Sequence, residues 1–586
     1  MFTLQNITLP SLAIRSNENM YFRAHRDGSF YSYQTESLSF QKSAHVSLDC
    51  FFNAFSIGKW KKNCALTALS LRLRGKGRFV LRFGLHRLGF PHQWLQENTI
   101  DLGDDDVCIP VEDWHNLEDG LLYISLYALD AECMFKGGEF VTPDAASTSV
   151  KLGIVITHFN RKQWVVPAIR RIADGLLSDP RYSEKISLVV VDNSSNLTED
   201  EARGAILLPN KNLGGSGGFT RGLLYLEDDG SYTHCLFMDD DASCEIESIR
   251  RAYAVLCFAK DPKLAIAGSL LRELEPSITH EIGGQFNKGN WRPIKSGLDL
   301  SYVHHLSIAE KDDEIIEYGA WWFFAFKIDQ IESYPFPFFV RGDDALFGKT
   351  NSFKIMTMNG ITCWGEDFWY KESPLTRYLG FRSTLAVMLI TGDSGKKRLF
   401  KLIKGWLKGA LLTGHYESVL AMAMAIDDVA KGPAFFVQNI DCSEQRKRIA
   451  EIVKNEKLTP VNRPENLKLP RHQHEKPIKK ALRLLTLNGL LLPSFLMNNK
   501  IIYQPKGFSG NIKQTFGYKK IYYEYEPLSV GFIAEFNRIK ILKTGFVFMK
   551  SALSLLLKID DVAKRYKTEA PKIMTKLFWE DVYRDK

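Results

Sequence analysis

The sequence predicts an α/β protein in three parts: an all-β leader, a central α/β unit on a parallel sheet, and a mainly helical C-terminal part. Three observations carry this. Aromatic and β-branched residues alternate with polar ones up to about residue 147, continuous apolar runs then alternate with helical spacing, and strong helix formers dominate beyond residue 395. A chain of 586 residues, 45% of them hydrophobic, is too long for one core and fits about two to four domains.

Residues 1–147 contain "SFYSYQTESLSF", "RFVLRFGLHRLG" and "LLYISLYAL", separated by the turn signals "RDG", "RGKG" and "LEDG". Period-two alternation between turns predicts half-buried antiparallel strands, hence a β-sandwich or jelly-roll.

Residues 148–395 open with the apolar strand "KLGIVITHFN", the helical "VVPAIRRIADGLL" and a second apolar strand, "ISLVVVDNSS". Strands without alternation are buried on both faces, as in a parallel sheet covered by helices. Ligands bind such sheets at the carboxyl ends of the strands, where Thr157, His158, Asn160, Arg161, Asp192 and Asn193 gather.

Residues 396–586 read as helical, as in "YESVLAMAMAIDDVAKG", which ends at a glycine. The tyrosine-rich "KQTFGYKKIYYEYEP" (513–527) interrupts this pattern with the character of a hairpin. No repeat marks a solenoid.

The net charge is +8, with basic residues concentrated in 395–409, 444–457 and 470–483. Such faces suit a membrane surface or a phosphate-bearing substrate, or are simply solvated. No platform of interleaved basic and aromatic residues supports nucleic-acid binding. Nine cysteines without a CxxC pair predict reduced thiols in a cytoplasmic protein. The N-terminus lacks a basic leader before a long apolar core, so no signal peptide is expected. The apolar segment 484–497 is broken by Asn488, Gly489 and Pro493, so membrane contact should be peripheral.

Five segments carry candidate chemistry. In "HCLFMDDDASCEIESI" (234–249) an apolar strand ends in Asp239, Asp240 and Asp241. Asp239 and Asp241 point the same way in an extended segment and offer oxygens to Mg²⁺ or Mn²⁺; helix capping is the plainer use of such residues. "LPNKNLGGSGGFTRG" (208–222) holds Gly214, Gly215, Gly217 and Gly218, which let backbone approach a ligand, and Arg221 follows them; it is neither a P-loop nor a Rossmann fingerprint. In "YGAWWFFAFK" (318–327), Trp321 and Trp322 cannot both face one core from a strand, so one faces a cleft where a ring can stack on a sugar. Asp343 and Asp344 in "FVRGDDALFGK" offer one carboxylate to orient a hydroxyl and one to deprotonate it, or a helix N-cap. Glu366 and Asp367, between aromatics in "CWGEDFWYK", are site residues or a solvated turn.

Taken in order, "THFNR", "PNKNLGGSGGFTRG", "LFMDDDASCEIESI", "LRELEPSITHEIGG", "YGAWWFFAFK", "FVRGDDALFG" and "AIDDVAKGPAFF" resemble the family-2 galactofuranosyltransferases of the galactan-polymerising type. The resemblance implies a GT-A core (148–395) between an N-terminal β-sandwich (1–147) and a C-terminal helical domain (396–586). It implies metal-dependent, inverting transfer of galactofuranose from UDP-galactofuranose to a growing cell-envelope glycan of galactan or O-antigen type. Asp239 and Asp241 would hold Mn²⁺ or Mg²⁺, Asp344 would be the general base, and Asp343 would bind the acceptor. Arg161, Asp192, Asn212, Gly214, Gly215, Gly217, Gly218, Arg221 and Asp240 would contact the nucleotide. Trp321, Trp322, His280, Trp364, Glu366 and Asp367 would line the acceptor site. The acceptor would be lipid-linked, with the enzyme peripheral on the inner face of the cytoplasmic membrane; self-association is left open.

One departure stands out. Where the family pattern has Trp-His, whose histidine completes the metal sphere, this chain has Trp364-Gly365. Glu366, Asp367 or water would then fill that position. The competing readings are another donor, such as dTDP-rhamnose, and a glycan-binding scaffold without turnover.

Overall fold

The computed structural model describes residues 1–584 apart from 15, 461, 471–474, 506 and 509. Part of the basic segment 470–483 therefore lies outside the described residues.

The leader is antiparallel throughout, and its organising element is the 17-residue strand Ser70–His86. Its first half pairs with Cys133–Thr142 and its second half with Leu121–Ala128, so one strand joins two layers. The change of partner falls at Gly77, whose φ of +95° and approach to Cys133 (2.6 Å from where a Cβ would sit to Sγ) leave room only for glycine.

The central unit contains β1 (Leu152–His158), α1 (Lys162–Ile172), β2 (Ile186–Asp192), β3 (Ile206–Pro209), α2 (Gly214–Asp229), β4 (His234–Asp239), α3 (Ile246–Cys257), β5 (Leu264–Ala267), β6 (Phe324–Lys327), α4 (Asp343–Asn351) and β7 (Lys354–Met356). The sheet order is β3-β2-β1-β4-β6-β5-β7. Continuous apolar strands work here because both faces are covered: Val155, Val189, Val191 and Phe237 pack with Phe219 and Leu223 of α2, while Ile154, Ile156 and Leu236 join a core with Ile169 of α1 and Ile249 of α3. The sheet is mixed rather than parallel, because β6 runs antiparallel to both β4 and β5. The apolar pattern was silent on this, since a strand buried on both faces reads alike in either direction.

The leader is fixed to α3 by buried polar contacts. Arg251 donates to the Phe52 carbonyl (2.7 Å), Asn6 donates through backbone and side chain to Glu247 (2.8 and 2.7 Å), and the Tyr21 hydroxyl donates to Glu245 (2.5 Å).

Beyond these lie α5 (Pro374–Ile390), α6 (Lys396–Leu411), α7 (Tyr416–Ala430), α8 (Pro477–Leu485), α9 (Arg538–Leu557) and α10 (Lys576–Arg584). This part is not helical throughout, for it includes a five-stranded sheet centred on Tyr518–Tyr525. That strand forms the expected hairpin with Val530–Glu535 and also pairs in parallel with Asn498–Gln504. The final helix, α10, returns to the central unit: Trp579 donates to the Pro335 carbonyl (2.8 Å) and the Tyr583 hydroxyl to the Gly217 carbonyl (2.5 Å). All nine cysteines are free, eight of them buried.

Candidate active site

The parallel pairing of β1 with β2 and β4 aligns Thr157 with Asp239 and His158 with Asp192, so the polar strand ends share one edge. Oxygens of Asp239, Asp240 and Asp241 lie within 4.8 Å of one another. Cations surround them. Arg161 donates to Asp241 and lies 3.4 Å from Asp240, Lys371 lies 2.6 Å from Asp241, and His158 Nδ1 lies 3.4 Å from Asp240. Burial opposes the charge on Asp241, but Lys371 and Arg161 outweigh it and hold that carboxyl below the usual range. For His158, too, burial is outweighed: the Asp240 carboxylate and the Asn196 side-chain oxygen, facing its two ring nitrogens, hold the imidazole above its ordinary pKa. Asp239 is less well compensated: burial, then Asp241 and Asp240, push it up to about 8 against the opposing charges of Lys371 and Arg161.

Hard oxygen donors clustered around an undercompensated carboxyl fit a divalent cation of the Mg²⁺ or Mn²⁺ class, which takes carboxylate oxygens and completes its sphere with water or phosphate. Among the described residues no other group of histidine, cysteine or acidic side chains meets that spacing. Glu366 is engaged by Lys371 at 3.7 Å.

The second acidic pair opens α4, after Gly342 in a left-handed turn (φ +84°). Ser216 of α2 donates to Asp343 (3.0 Å), tying this pair to the glycine-rich helix. Gly215 lies against the same carboxylate, and a Cβ there would come within 3.3 Å of it. Burial, then the charge on Asp344, raises Asp343 to about 7. Burial also raises Asp344, to about 6, while the Ala345 N–H and the Arg341 charge restrain it. Glu281 has a buried oxygen without a hydrogen-bond partner, and burial, then Asp344, raises it to about 8.

Phe368 meets a cation beside each acidic group, Lys371 lying 6.0 Å from its ring centre and Arg341 5.5 Å. Its ring stacks on His280 (4.7 Å, 16°) and meets Trp322 edge-on (6.2 Å). Burial lowers His280, with Asp367 opposing.

Several expected site residues have other partners. Of the two tryptophans, Trp321 is the one in the core, packed among Phe219, Phe237 and Phe347; Trp322 is half-buried and donates to the Gly268 carbonyl (3.1 Å). Trp364 is also a core residue, donating to the Pro276 carbonyl (2.8 Å). Cβ atoms on Gly217 and Gly218 would strike Leu213 and Thr157, so these glycines set the packing of α2 rather than an open loop. Arg221 lies over the Tyr583 ring at 5.3 Å. Asp192 accepts from the Ser194, Asn196 and Leu197 N–H groups and so shapes its own loop, and Asn212 caps the Gly214 N–H (3.1 Å).

Sequence reasoning missed Glu281, Phe368, Lys371 and Ser216. Glu281 had a signal, an acidic residue directly after His280 in an apolar-flanked segment. The other three are set by long-range packing.

Residues 153–273 match the family described as "Glycosyl transferase family 2". With that match, the mixed sheet has the GT-A type of glycosyltransferase fold. The chain is 25% identical to galactofuranosyltransferase GlfT2 of Mycobacterium tuberculosis over 442 residues, 68% of this chain and 67% of that one. It is 27% identical to GlfT2 of Mycolicibacterium smegmatis over 433 residues, 68% and 66% of the two chains. Among solved structures, a Pyrobaculum calidifontis mannosyltransferase in complex with GDP-Man and Mn²⁺ matches at 15% identity, covering 53% of this chain and 86% of that one, with a TM-score of 0.30. GalNAc-T7 with UDP, GalNAc and Mn²⁺ matches at 10% identity, covering 43% and 49%, with a TM-score of 0.31.

Proposed function

We propose that this glycosyltransferase, which carries a family 2 domain at residues 153–273, moves galactofuranose from UDP-galactofuranose to a growing cell-envelope glycan with inversion at the anomeric carbon. The observation that carries the reading is an acidic cluster suited to a cation at the sheet edge, together with a separate carboxyl pair, tied to α2 through Ser216, that is raised into the neutral range. The galactofuranosyl assignment draws on the two GlfT2 relatives.

A divalent cation held by Asp239 and Asp241, with Asp240 alongside, would neutralise charge on the departing diphosphate. Arg161, already beside that cluster, binds and orients the nucleotide. Asp343, fixed by Ser216, positions the acceptor hydroxyl, and Asp344 takes its proton. The acceptor oxygen bonds to the anomeric carbon from the face opposite the leaving group, and the bond to phosphate breaks with its electron pair retained by UDP. Trp322, His280 and Phe368 form the wall on which acceptor rings rest. The test is product stereochemistry with UDP-galactofuranose and dTDP-rhamnose as competing donors. An inverted galactofuranosyl linkage is expected; retention, or preference for rhamnose, would overturn the assignment.

The acceptor is lipid-linked in this reading, and the C-terminal part supplies a surface for it. No described helix is long and apolar enough to cross a membrane. Yet Ile478 and Leu485 of α8, Phe495, Leu496 and Phe546 are 61–84% exposed, and an open apolar groove of about 680 Å³ runs along Leu407, Leu411, Ile541 and Phe546. Lys479, Lys480, Lys540 and Lys543 are interspersed in sequence with these side chains. Apolar side chains among lysines match an anionic bilayer surface. Phe495→Asp with Leu496→Asp should abolish sedimentation with phosphatidylglycerol vesicles; undiminished sedimentation would remove this surface from the account.

A further inference from the structure

A short segment leading into α5 carries a lysine onto an oxygen that the proposed cation needs. Both ends of the segment are fixed. The backbone N–H groups of Ser243 and Trp364 each donate to the other's carbonyl (3.0 and 2.7 Å), which ties the loop after Asp241 to the strand Thr362–Gly365. At the other end Ser373 and Thr376 cap α5 reciprocally, with Pro374 at its start. Between these anchors the chain turns back to the aspartates through the one-turn helix Phe368–Lys371.

Lys371 Nζ lies 2.6 Å from Asp241 Oδ2, and Arg161 Nη1 donates to the same oxygen. The Asp241 side chain is 6% exposed, so water does little to screen these pairs. The two cations are not equivalent. Arg161 also lies 3.4 Å from Asp240 and keeps a carboxylate partner without Asp241. Lys371 also lies 3.7 Å from Glu366, but at that distance and with the Glu366 side chain 27% exposed the pair is worth little. Ionised, Asp239, Asp240 and Asp241 carry three negative charges, which a divalent cation and Arg161 together answer. The charge of Lys371 is then left over. An ammonium on a flexible four-carbon stem turns readily to a new anion, and the anion that accompanies such a cation is substrate phosphate.

We propose that Lys371 exchanges partners: it holds Asp241 in the metal-free protein and bonds to the nucleotide diphosphate when that oxygen is given over to a divalent cation. Lys371 is thereby a donor-binding residue, and its charge beside the leaving diphosphate adds to that of the cation. The exchange couples the two ligands. Cation alone leaves Lys371 short of a partner, and nucleotide alone draws Lys371 away from Asp241, so each favours binding of the other. The proposal rests on the reading of Asp239 and Asp241 as the cation site and is indifferent to the sugar and base of the donor.

The test compares wild type, Lys371→Met and Lys371→Arg, as the full chain, by two binding measurements. Mn²⁺ binding is read by electron paramagnetic resonance without nucleotide, and UDP and dTDP binding by calorimetry in saturating Mn²⁺. Lys371→Met should bind Mn²⁺ roughly tenfold more tightly, because a competing charge is gone, and the nucleotide roughly tenfold more weakly, the loss of one charge-assisted hydrogen bond. Lys371→Arg keeps the charge and should keep most of the nucleotide affinity. A lysine that only shaped the loop would shift both affinities in the same direction. Unchanged or weaker Mn²⁺ binding in Lys371→Met, or unchanged nucleotide binding, would overturn the proposal and leave the cation site standing. No binding of Mn²⁺, or of either nucleotide, by wild type would overturn the donor-site reading and the proposal with it.

Discussion

Arg341 should set the pH at which the enzyme switches on. Asp344 is raised to about 6 chiefly by burial, and the Arg341 charge works in the opposite direction. A base must be ionised to act, so kcat/KM for wild type should be half-maximal near pH 6 and fall to about a tenth of its plateau by pH 5. Asp343, raised to about 7 by burial and by Asp344, titrates with its neighbour, so the limb belongs to the pair. Replacing Arg341 with methionine removes the restraining charge and should move the limb upward by roughly one pH unit. The assay is initial-rate UDP release from pH 4.5 to 9 at saturating Mn²⁺. A limb that stays in place in Arg341→Met, or moves to lower pH, would refute the electrostatic assignment of Asp344.

Asp239, pushed up to about 8, predicts how the metal-free protein behaves. A carboxyl whose folded pKa is raised contributes stability that is complete below about pH 4 and is lost as pH rises toward 8. Urea unfolding in EDTA should therefore show stability declining across that window, less so in Asp239→Asn, and a flat profile would count against the raised carboxyl. Mn²⁺ at a hundred times its Kd should stabilise wild type by about 2.7 kcal/mol at pH 7.5, and the gain should vanish in Asp239→Asn with Asp241→Asn; an equal gain in that double variant would move the metal elsewhere. The adjacent tryptophans should separate cleanly: Trp321→Ala should cost about 3–5 kcal/mol of stability, whereas Trp322→Ala should chiefly raise the acceptor KM. Reversal of that pattern, read by thermal unfolding and acceptor titration, would exchange their roles.

The alternation in the leader and the continuous apolar strands at 152–158 and 186–192 made the layers legible, because burial on one face or two leaves a direct mark in sequence. The direction of β6 left no such mark, and neither did the sheet that holds Tyr518–Tyr525 within a helical background. At the site, the three aspartates were legible because charges ending an apolar strand need a reason. Lys371 and Phe368 were not, since each meets its partners only through packing at long range. The glycines show a limit of composition: a cluster suggesting an open ligand loop is, at Gly217 and Gly218, the close contact that seats a helix.

The most direct measurement is UDP release from UDP-galactofuranose with a synthetic galactofuranosyl acceptor, in Mn²⁺ or EDTA, for wild type and Asp344→Asn. Turnover that EDTA abolishes and Asp344→Asn reduces by about 10²–10⁴ is predicted. Turnover unaffected by EDTA, or fully retained in Asp344→Asn, would contradict the assignment of metal or base, and no turnover with any acceptor would contradict the donor.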